Sequence, residues 1–341
     1  MAGKFSDRAV EGFFALLRAG LGAAGDSFAD ARNDNGSDAR NDIVLSEAEW
    51  EEVLSLASQQ SVSGIVYAGV SALPEEVSVP DSVTLSLMAE AGRIRRRSAL
   101  VAGVLDKVME QFEGLSPVVM KGPAVAAFYP SPELRESGDI DLFFPAGVTA
   151  PSAPDGSSHL RIDGIDIDIH SAYFDLGLKP KVAVPSPEAT LLMLSAHILK
   201  HAFSSGTGLR QICDIALAYK ELDYDDDMLK ALWKECSIVR WNNLLSSFIR
   251  QYLGIEAPLV KEDSATDRLL GIVLEGGNFG HFAADRRKAL ASDAGARKAD
   301  TLRRILRKAP FGLRYAPGKY LWYLLTLSKG NLRGPSLPSS S

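Results

Sequence analysis

Apolar residues recur at helical spacing through the N-terminal part of the chain, switch to a two-residue period in its middle, and return to helical spacing afterwards. In the first zone, Phe5 to Leu21 reads as an amphipathic helix, with Asp7 and Glu11 set among its apolar positions. Ser46 stands before Glu47, and Glu49 completes a capping box, so a helix begins there and carries Trp50, Val53, Leu54 and Ala57 on one side. A longer helix runs from Asp81 to about Glu113, with Arg93, Arg95, Arg96 and Arg97 on its exposed side. Between the first two helices the pentapeptide Asp-Ala-Arg-Asn-Asp occurs twice, Asp30 to Asp34 and Asp38 to Asp42, around Asn35-Gly36, which reads as a polar loop.

The middle zone predicts strands. Val118-Val119-Met120 is a short buried strand that meets a turn at Lys121-Gly122. Ala124 to Tyr129 reads as a short helix, stopped by Pro130-Ser131-Pro132. Asp139 to Phe144 alternates until Pro145, and Arg161 to His170 alternates as one further strand, with a Pro/Ala/Gly/Ser loop from Pro145 to Ser158 between them. Helical spacing resumes after Ser186-Pro187-Glu188, an N-cap, a first-turn proline and an early acid in order. It continues through Leu191 to Phe203 and Ile212 to Tyr219. The expected organisation is an N-terminal helical region, 1–113, with a loop at 25–44; an α/β core, 114–185; a C-terminal helical domain, 186–333; and a disordered tail, 334–341. The fold class is α+β, a small sheet flanked by helical regions.

Chemistry enters with the acids of the middle zone. In Gly138-Asp139-Ile140-Asp141-Leu142 a strand sends both carboxylates to one face and Ile140 and Leu142 to the other. Ile165 to His170 repeats the pattern, with Asp166, Asp168 and His170 opposite the isoleucines. If these strands are neighbours, four carboxylates crowd one surface. Two like charges about 5 Å apart repel by roughly 3 kcal/mol at an effective dielectric of 20. Such a cluster holds protons or cations, and all-oxygen donors favour magnesium or manganese. Lys121-Gly122 and Arg135 add phosphate-binding groups nearby. On this view, removing Asp139 or Asp141 abolishes activity and leaves stability equal or raised.

Together, Val118 to Ala124, Phe128-Tyr129-Pro130, Leu134-Arg135 and Gly138 to Leu142 resemble a nucleotidyltransferase family with a polymerase-beta-like fold. Ile167-Asp168-Ile169-His170 is similar to that family's later strand, and similarity extends over about 46–220, including His197, His201, Leu209-Arg210 and Asp214. The resemblance implies that Asp139, Asp141 and Asp168 bind the catalytic metal, Mg²⁺ or Mn²⁺, and that Lys121, Gly122, Arg135 and Gly138 meet the triphosphate of a substrate such as ATP. Asp166 would orient an acceptor or act as base. Read from the residues themselves, His170 orients Asp168 or is a hydrogen-bonded core residue, and His197 and His201 contact phosphate or acceptor or serve in the core or behind the site; Arg210 stands with them, and Asp214 holds one of these histidines or Arg210, or is a structural cap or buried pair. Two features depart from the family pattern: Pro123 follows Gly122 and has no N–H, and the stretch from Leu142 to Ile167 is short. The implied activity is transfer of a nucleoside monophosphate to a hydroxyl or phosphate of an acceptor that is a small molecule, protein or modified peptide. The alternatives are transfer of a sugar or other group from an activated phosphate donor, or a nucleotide-binding module without catalysis.

Bulk properties narrow the setting. No apolar run approaches the ~20 residues that span a bilayer, and the N-terminus lacks the features of a secretory signal. Cys213 and Cys236 are too few for a disulfide framework and read as reduced core residues, so the expected location is the cytoplasm. His197 and His201 share a helix face, but Ile198 stands where a zinc protease has glutamate. Trp233 and Trp241 read as packing residues. The net charge of −6 divides into +11 from Arg286 onward and −17 before it. The basic end suits an anionic partner or a solvated helix face; nucleic acid is possible but not favoured, since the aromatic interleaving of a stacking surface is missing.

Overall fold

Four short strands carry the two-residue period in the computed structural model, which describes residues 5–23, 44–145, 148–149, 158–204, 206–277, 303 and 305–328. They are β1 (Val118–Val119), β2 (Ile140–Phe143), β3 (His159–Ile162) and β4 (Ile165–His170), in the spatial order β1-β2-β4-β3. β1 runs antiparallel to β2, β2 parallel to β4, and β3 antiparallel to β4. The parallel register pairs Ile140 with Ile167, Asp141 with Asp168 and Leu142 with Ile169. Apolar residues therefore meet on one face and acids on the other.

The segment expected as one strand from Arg161 to His170 is instead the end of a hairpin. Asp163 (φ 50°) and Gly164 (φ 78°) both take left-handed backbone, the condition for a tight two-residue turn, and Asp-Gly is a pair that tolerates it. The helix expected from Ala124 to Tyr129 also shortens, to Pro123–Ala126. Pro123 takes its first position, where a missing N–H costs no intrahelical bond, so this departure from the family pattern has a local explanation.

The helices of the N-terminal region are α1 (Asp7–Gly20), α2 (Glu47–Gln59), α3 (Ser63–Ser71) and α4 (Asp81–Gln111), followed by the short α5 (Pro123–Ala126). Beyond the sheet lie α6 (Pro187–Phe203), α7 (Leu209–Glu221), α8 (Asp226–Glu235), α9 (Val239–Phe248) and α10 (Thr266–Gly276). Near the C-terminus follow α11 (Ala309–Tyr315) and α12 (Pro317–Ser328). Ser46 and Glu49 form the expected capping box, and Ser186 caps α6. Trp50, Trp233 and Trp241 are buried in a large helical core, as are both cysteines, which are unpaired. Among the described residues no helix is long and apolar enough to cross a membrane. The repeated pentapeptide, most of the 145–158 loop, most of the basic segment and the tail at 334–341 lie outside the described residues.

α4 connects the two cores. Val83 and Leu87 of its first half join the helical core, while Val101, Val104 and Val108 pack with Ile140, Leu142, Ile165, Ile167 and Ile169 against the apolar sheet face. The acidic face is left to the site. Small residues set the helical spacing: a Cβ on Gly20 would lie 2.0 Å from the Ile65 carbonyl, and one on Gly69 2.0 Å from that of Leu16. α3 likewise approaches the 3₁₀ turn Pro132–Leu134 through Gly64, whose added Cβ would lie 2.1 Å from the Leu134 carbonyl oxygen. Backbone cannot retreat as a side chain can. We therefore expect Gly64→Ala to destabilise the fold by about 1–3 kcal/mol or more, read from its urea midpoint. A variant as stable as the parent would show that α3 can withdraw at little cost.

Candidate functional site

Asp141 lies at the centre of the acidic face. It is only 5% exposed, and its Oδ1 receives both Lys121 Nζ at 2.9 Å and His170 Nε2 at 2.6 Å. Burial by itself would raise its pKa, but Lys121 and His170 outweigh that and hold the carboxyl well below the usual range. His170 is thus bound to Asp141 and not to Asp168, as the sequence had suggested. The reason is the register: His170 pairs with Phe143, one step along the same face from Asp141.

Asp139 precedes β2 and is exposed, yet its carboxyl is pushed up by desolvation and then by the Asp141 charge, with Asp168 adding to the effect. Lys121 and Arg210 pull it the other way. Gly122 brings the Lys121 turn against this segment. Its φ is 59°, and a Cβ there would lie 3.1 Å from the Asp139 carbonyl oxygen. Gly138 precedes Asp139, and its carbonyl accepts Arg97 Nη2 at 2.7 Å.

Asp168 stands beside Asp141 across the parallel pair and beside His159 across the hairpin. His159 Nδ1 contacts Asp168 Oδ1 at 2.6 Å, and this bond is the main reason that the imidazole pKa is raised. Asp166 Oδ1 faces Arg161 Nε at 3.6 Å and His159 Nε2 at 3.5 Å, towards the hairpin edge. His159 is hidden in the sequence because regular alternation on both sides of Asp163-Gly164 masks the hairpin turn that brings it to Asp168.

Arg135 requires a correction. It is 4% exposed and donates through Nε and Nη2 to the two oxygens of Asp214, at 2.9 and 2.7 Å, and through Nη1 to Ser137 Oγ at 3.0 Å. Tyr129 Oη adds a bond to Asp214 at 2.7 Å. A fork so engaged joins the segment before β2 to α7 and has little left for a phosphate. Arg210 pulls the Asp139 carboxyl down, with its Nη1 donating to the Glu136 carbonyl at 2.9 Å, and the charge of Asp139 also acts on Arg135. Asp214 is accordingly one member of a buried pair, the second of the two structural roles expected for it, and its cation is Arg135.

The family model for an uncharacterised nucleotidyltransferase matches residues 46–151 and 166–254, more than half of the chain. The chain belongs to that nucleotidyltransferase family. Comparison with curated proteins and with solved structures gave no match. The matched residues include β1, β2, all of β4 but Ile165, and α6 to α9, and leave out 152–165, where β3 and His159 lie.

A second polar group lies on the Lys121 side. Asp175, which the sequence reading overlooked, receives Lys200 Nζ on Oδ1 at 2.7 Å and faces His197 Nδ1 with Oδ2 at 3.0 Å. His197 Nε2 and His201 Nε2 are 3.2 Å apart. Desolvation and then Lys121 push His197 down to about 4, and desolvation and His197 push His201 well down also. Among the described residues no three or more His, Cys, Asp or Glu side chains are grouped to hold a metal ion as they stand. The chemistry of the sheet acids nevertheless suits a hard cation: Lys121 and His170 both take Oδ1 of Asp141, leaving Oδ2 outside those contacts.

Two measurements check these assignments. Arg135→Ala leaves Asp214 buried without its cation and is expected to cost about 3–5 kcal/mol in chemical unfolding. Unchanged stability with lost nucleotide affinity would return Arg135 to the phosphate. The second concerns pH. The unfolded chain protonates histidine near 6.5, whereas the folded chain resists down to about 4 at His197, so the unfolded state binds more protons in that window. This contribution makes stability fall as pH drops from 6.5 towards 4. His159, whose pKa is raised, works in the opposite direction, and Asp175, held low, keeps its contribution until below 3.8. Urea midpoints of the parent and His197→Gln at stepped pH therefore isolate the effect: the variant's curve should be the flatter one.

Proposed function

We propose that the chain transfers a nucleoside monophosphate from a nucleoside triphosphate to an acceptor hydroxyl or phosphate, with Mg²⁺ or Mn²⁺ held by Asp139, Asp141 and Asp168. The observation that carries this reading is the parallel pairing of Asp141 with Asp168, with Asp139 two residues before Asp141 and raised by both of their charges. Asp141 and Asp168 have cationic or imidazole partners in direct contact, and Asp139 feels its cations only at longer range. A divalent cation and its attendant phosphate complete that balance.

In this reading the ion, once bound, offsets the charge on the attacking and leaving oxygens of an in-line displacement. The protein's own groups do the rest. Lys121 and Arg210 flank Asp139 and accept the triphosphate, Gly122 holds the Lys121 turn close to the acids, and His170 and His159 fix the carboxylates that they contact. Asp166 stays at the hairpin edge, turned towards Arg161. The supply of triphosphate and magnesium fits a cytoplasmic setting.

α-Labelled ATP and pyrophosphate detection test the proposal. Chelation should abolish pyrophosphate release, and Mg²⁺ or Mn²⁺ should restore it. Incorporation of sugar from a nucleotide sugar, or tight ATP binding without turnover, would replace this reading with group transfer of another kind or with a binding module. Asp139→Ala and Asp141→Ala should each lower turnover by about 10²-fold or more. Their stabilities should diverge. Removing Asp139 relieves repulsion and leaves the thermal midpoint equal or higher, whereas removing Asp141 strands Lys121 beside His170 and lowers it. The equal tolerance expected from sequence alone is thereby replaced. Two variants of matching stability would show that Lys121 does not depend on Asp141.

A further inference from the structure

The two C-terminal helices have unlike sides. Phe311 and Tyr315 of α11 and Tyr320 of α12 are buried in the helical core, where Phe311 meets Trp241 and Tyr320 meets Phe203, with ring centroids 6.1 and 5.2 Å apart. Gly312 lets the helices close on each other: a Cβ there would lie 2.3 Å from the Tyr320 ring. The other side is apolar as well, yet exposed. Leu306 before α11, Leu313 on α11, and Leu321, Trp322 and Leu325 on α12 all stand out to solvent. Leu321 and Leu325 lie one helical turn apart with Trp322 beside them, so they share a face. Single surface leucines need no account, but five of the eleven exposed large hydrophobics among the described residues fall between 306 and 325. Cations are interleaved with them: Arg303, Arg307, Lys308, Arg314 and Lys319, and the sequence holds no Asp or Glu from 301 onward. Glu275 of α10 faces Arg307 at 3.4 Å, a surface pair of small weight.

We propose that this outer side docks on an anionic lipid surface. The leucines and Trp322 enter the boundary between headgroups and acyl chains, and the cations sit among the headgroup phosphates. The attachment is peripheral: among the described residues no helix is long and apolar enough to cross a membrane. It is independent of the nucleotidyl-transfer reading. A protein partner fits less well, because protein interfaces gather apolar residues at the core and leave charge to the rim. Here the two alternate, Arg307 following Leu306 and Arg314 following Leu313. A bilayer boundary accepts that alternation, since long cationic side chains reach the phosphates while leucines stay below them. Nucleic acid would use the cations and leave the leucines in water. It would also call for aromatic platforms, whereas the Trp322 indole lies against the Gly177 backbone, its Cε2 2.7 Å from where a Cβ would be. An indole, apolar with one polar N–H, suits the lipid boundary.

Apolar burial and charge attraction act together in this docking, so neutral vesicles and high salt each remove one of the two. The chain also carries its own reporter. Trp50, Trp233 and Trp241 are fully buried, whereas Trp322 is 41% exposed, so lipid that quenches tryptophan emission reports on Trp322.

The test sediments the full chain with vesicles of phosphatidylcholine alone and of phosphatidylcholine with phosphatidylglycerol. The chain should sediment with the second kind only, and high salt should release it. Brominated phosphatidylcholine in those vesicles should quench tryptophan emission, and Trp322→Phe should abolish the quenching. Leu321→Asp combined with Leu325→Asp should lower partitioning by about 10²-fold, and Arg314→Gln by about fivefold, with thermal midpoints unchanged because these side chains are exposed. Leu85→Asp, at an exposed position of α4, should leave binding as it was. If the leucine variant fails to fold, quenching in the parent and its loss in Trp322→Phe still decide. No sedimentation, equal sedimentation with both kinds of vesicle, or quenching that survives Trp322→Phe would overturn the proposal. So would retention of a labelled RNA, or self-association in solution, that the leucine variant loses: the face would then belong to nucleic acid or to a second copy of the chain.

Discussion

The parallel pairing of β2 with β4 is the constraint on which the rest depends. It sets Asp141 beside Asp168 and, on the opposite face, Ile140 beside Ile167 and Leu142 beside Ile169. A slip of one residue would send the isoleucines to water and the acids into the core against α4, so burial of the apolar face fixes the position of the carboxylates. The acidic face is thus a by-product of the packing face. That is why so small a sheet can hold several like charges together.

What the pairing creates, neighbouring groups must compensate, and they do so unequally. Asp141 receives a lysine and a histidine on one oxygen, Asp168 receives the hairpin histidine, and Asp139 has only longer-range help. The result is a gradient, with Asp141 held low by Lys121 and His170 and Asp139 pushed up by desolvation and then by the Asp141 charge. Lys121 couples this face to the histidines of α6, since the same ammonium that neutralises Asp141 also opposes protonation of His197.

The helical regions hold the sheet by close backbone approach and by one buried ion pair. Gly64 lets α3 meet the turn at Pro132–Leu134, and the next residue, Arg135, reaches Asp214 on α7. Both contacts converge on the segment that leads into Asp139. The geometry of the acids is therefore set from two directions, the strand register on one side and the helical scaffold on the other.

The elements legible in sequence were those that short-range chemistry dictates. Ser46 with Glu49 specifies a helix start, alternation in Gly138 to Leu142 specifies a two-faced strand, and the gathering of Asp139, Asp141 and Asp168 followed from that alternation once the strands became neighbours. Asp163-Gly164 was also legible, as a turn that the regular alternation around it concealed. Tertiary structure alone decided the partners: His170 on Asp141, His159 on Asp168, Arg135 on Asp214 and Asp175 on His197. The physical reason is range. Periodicity and caps act within one element, whereas the partner of a charged side chain depends on strand register and helix approach, which are set by burying apolar surface far away in the chain.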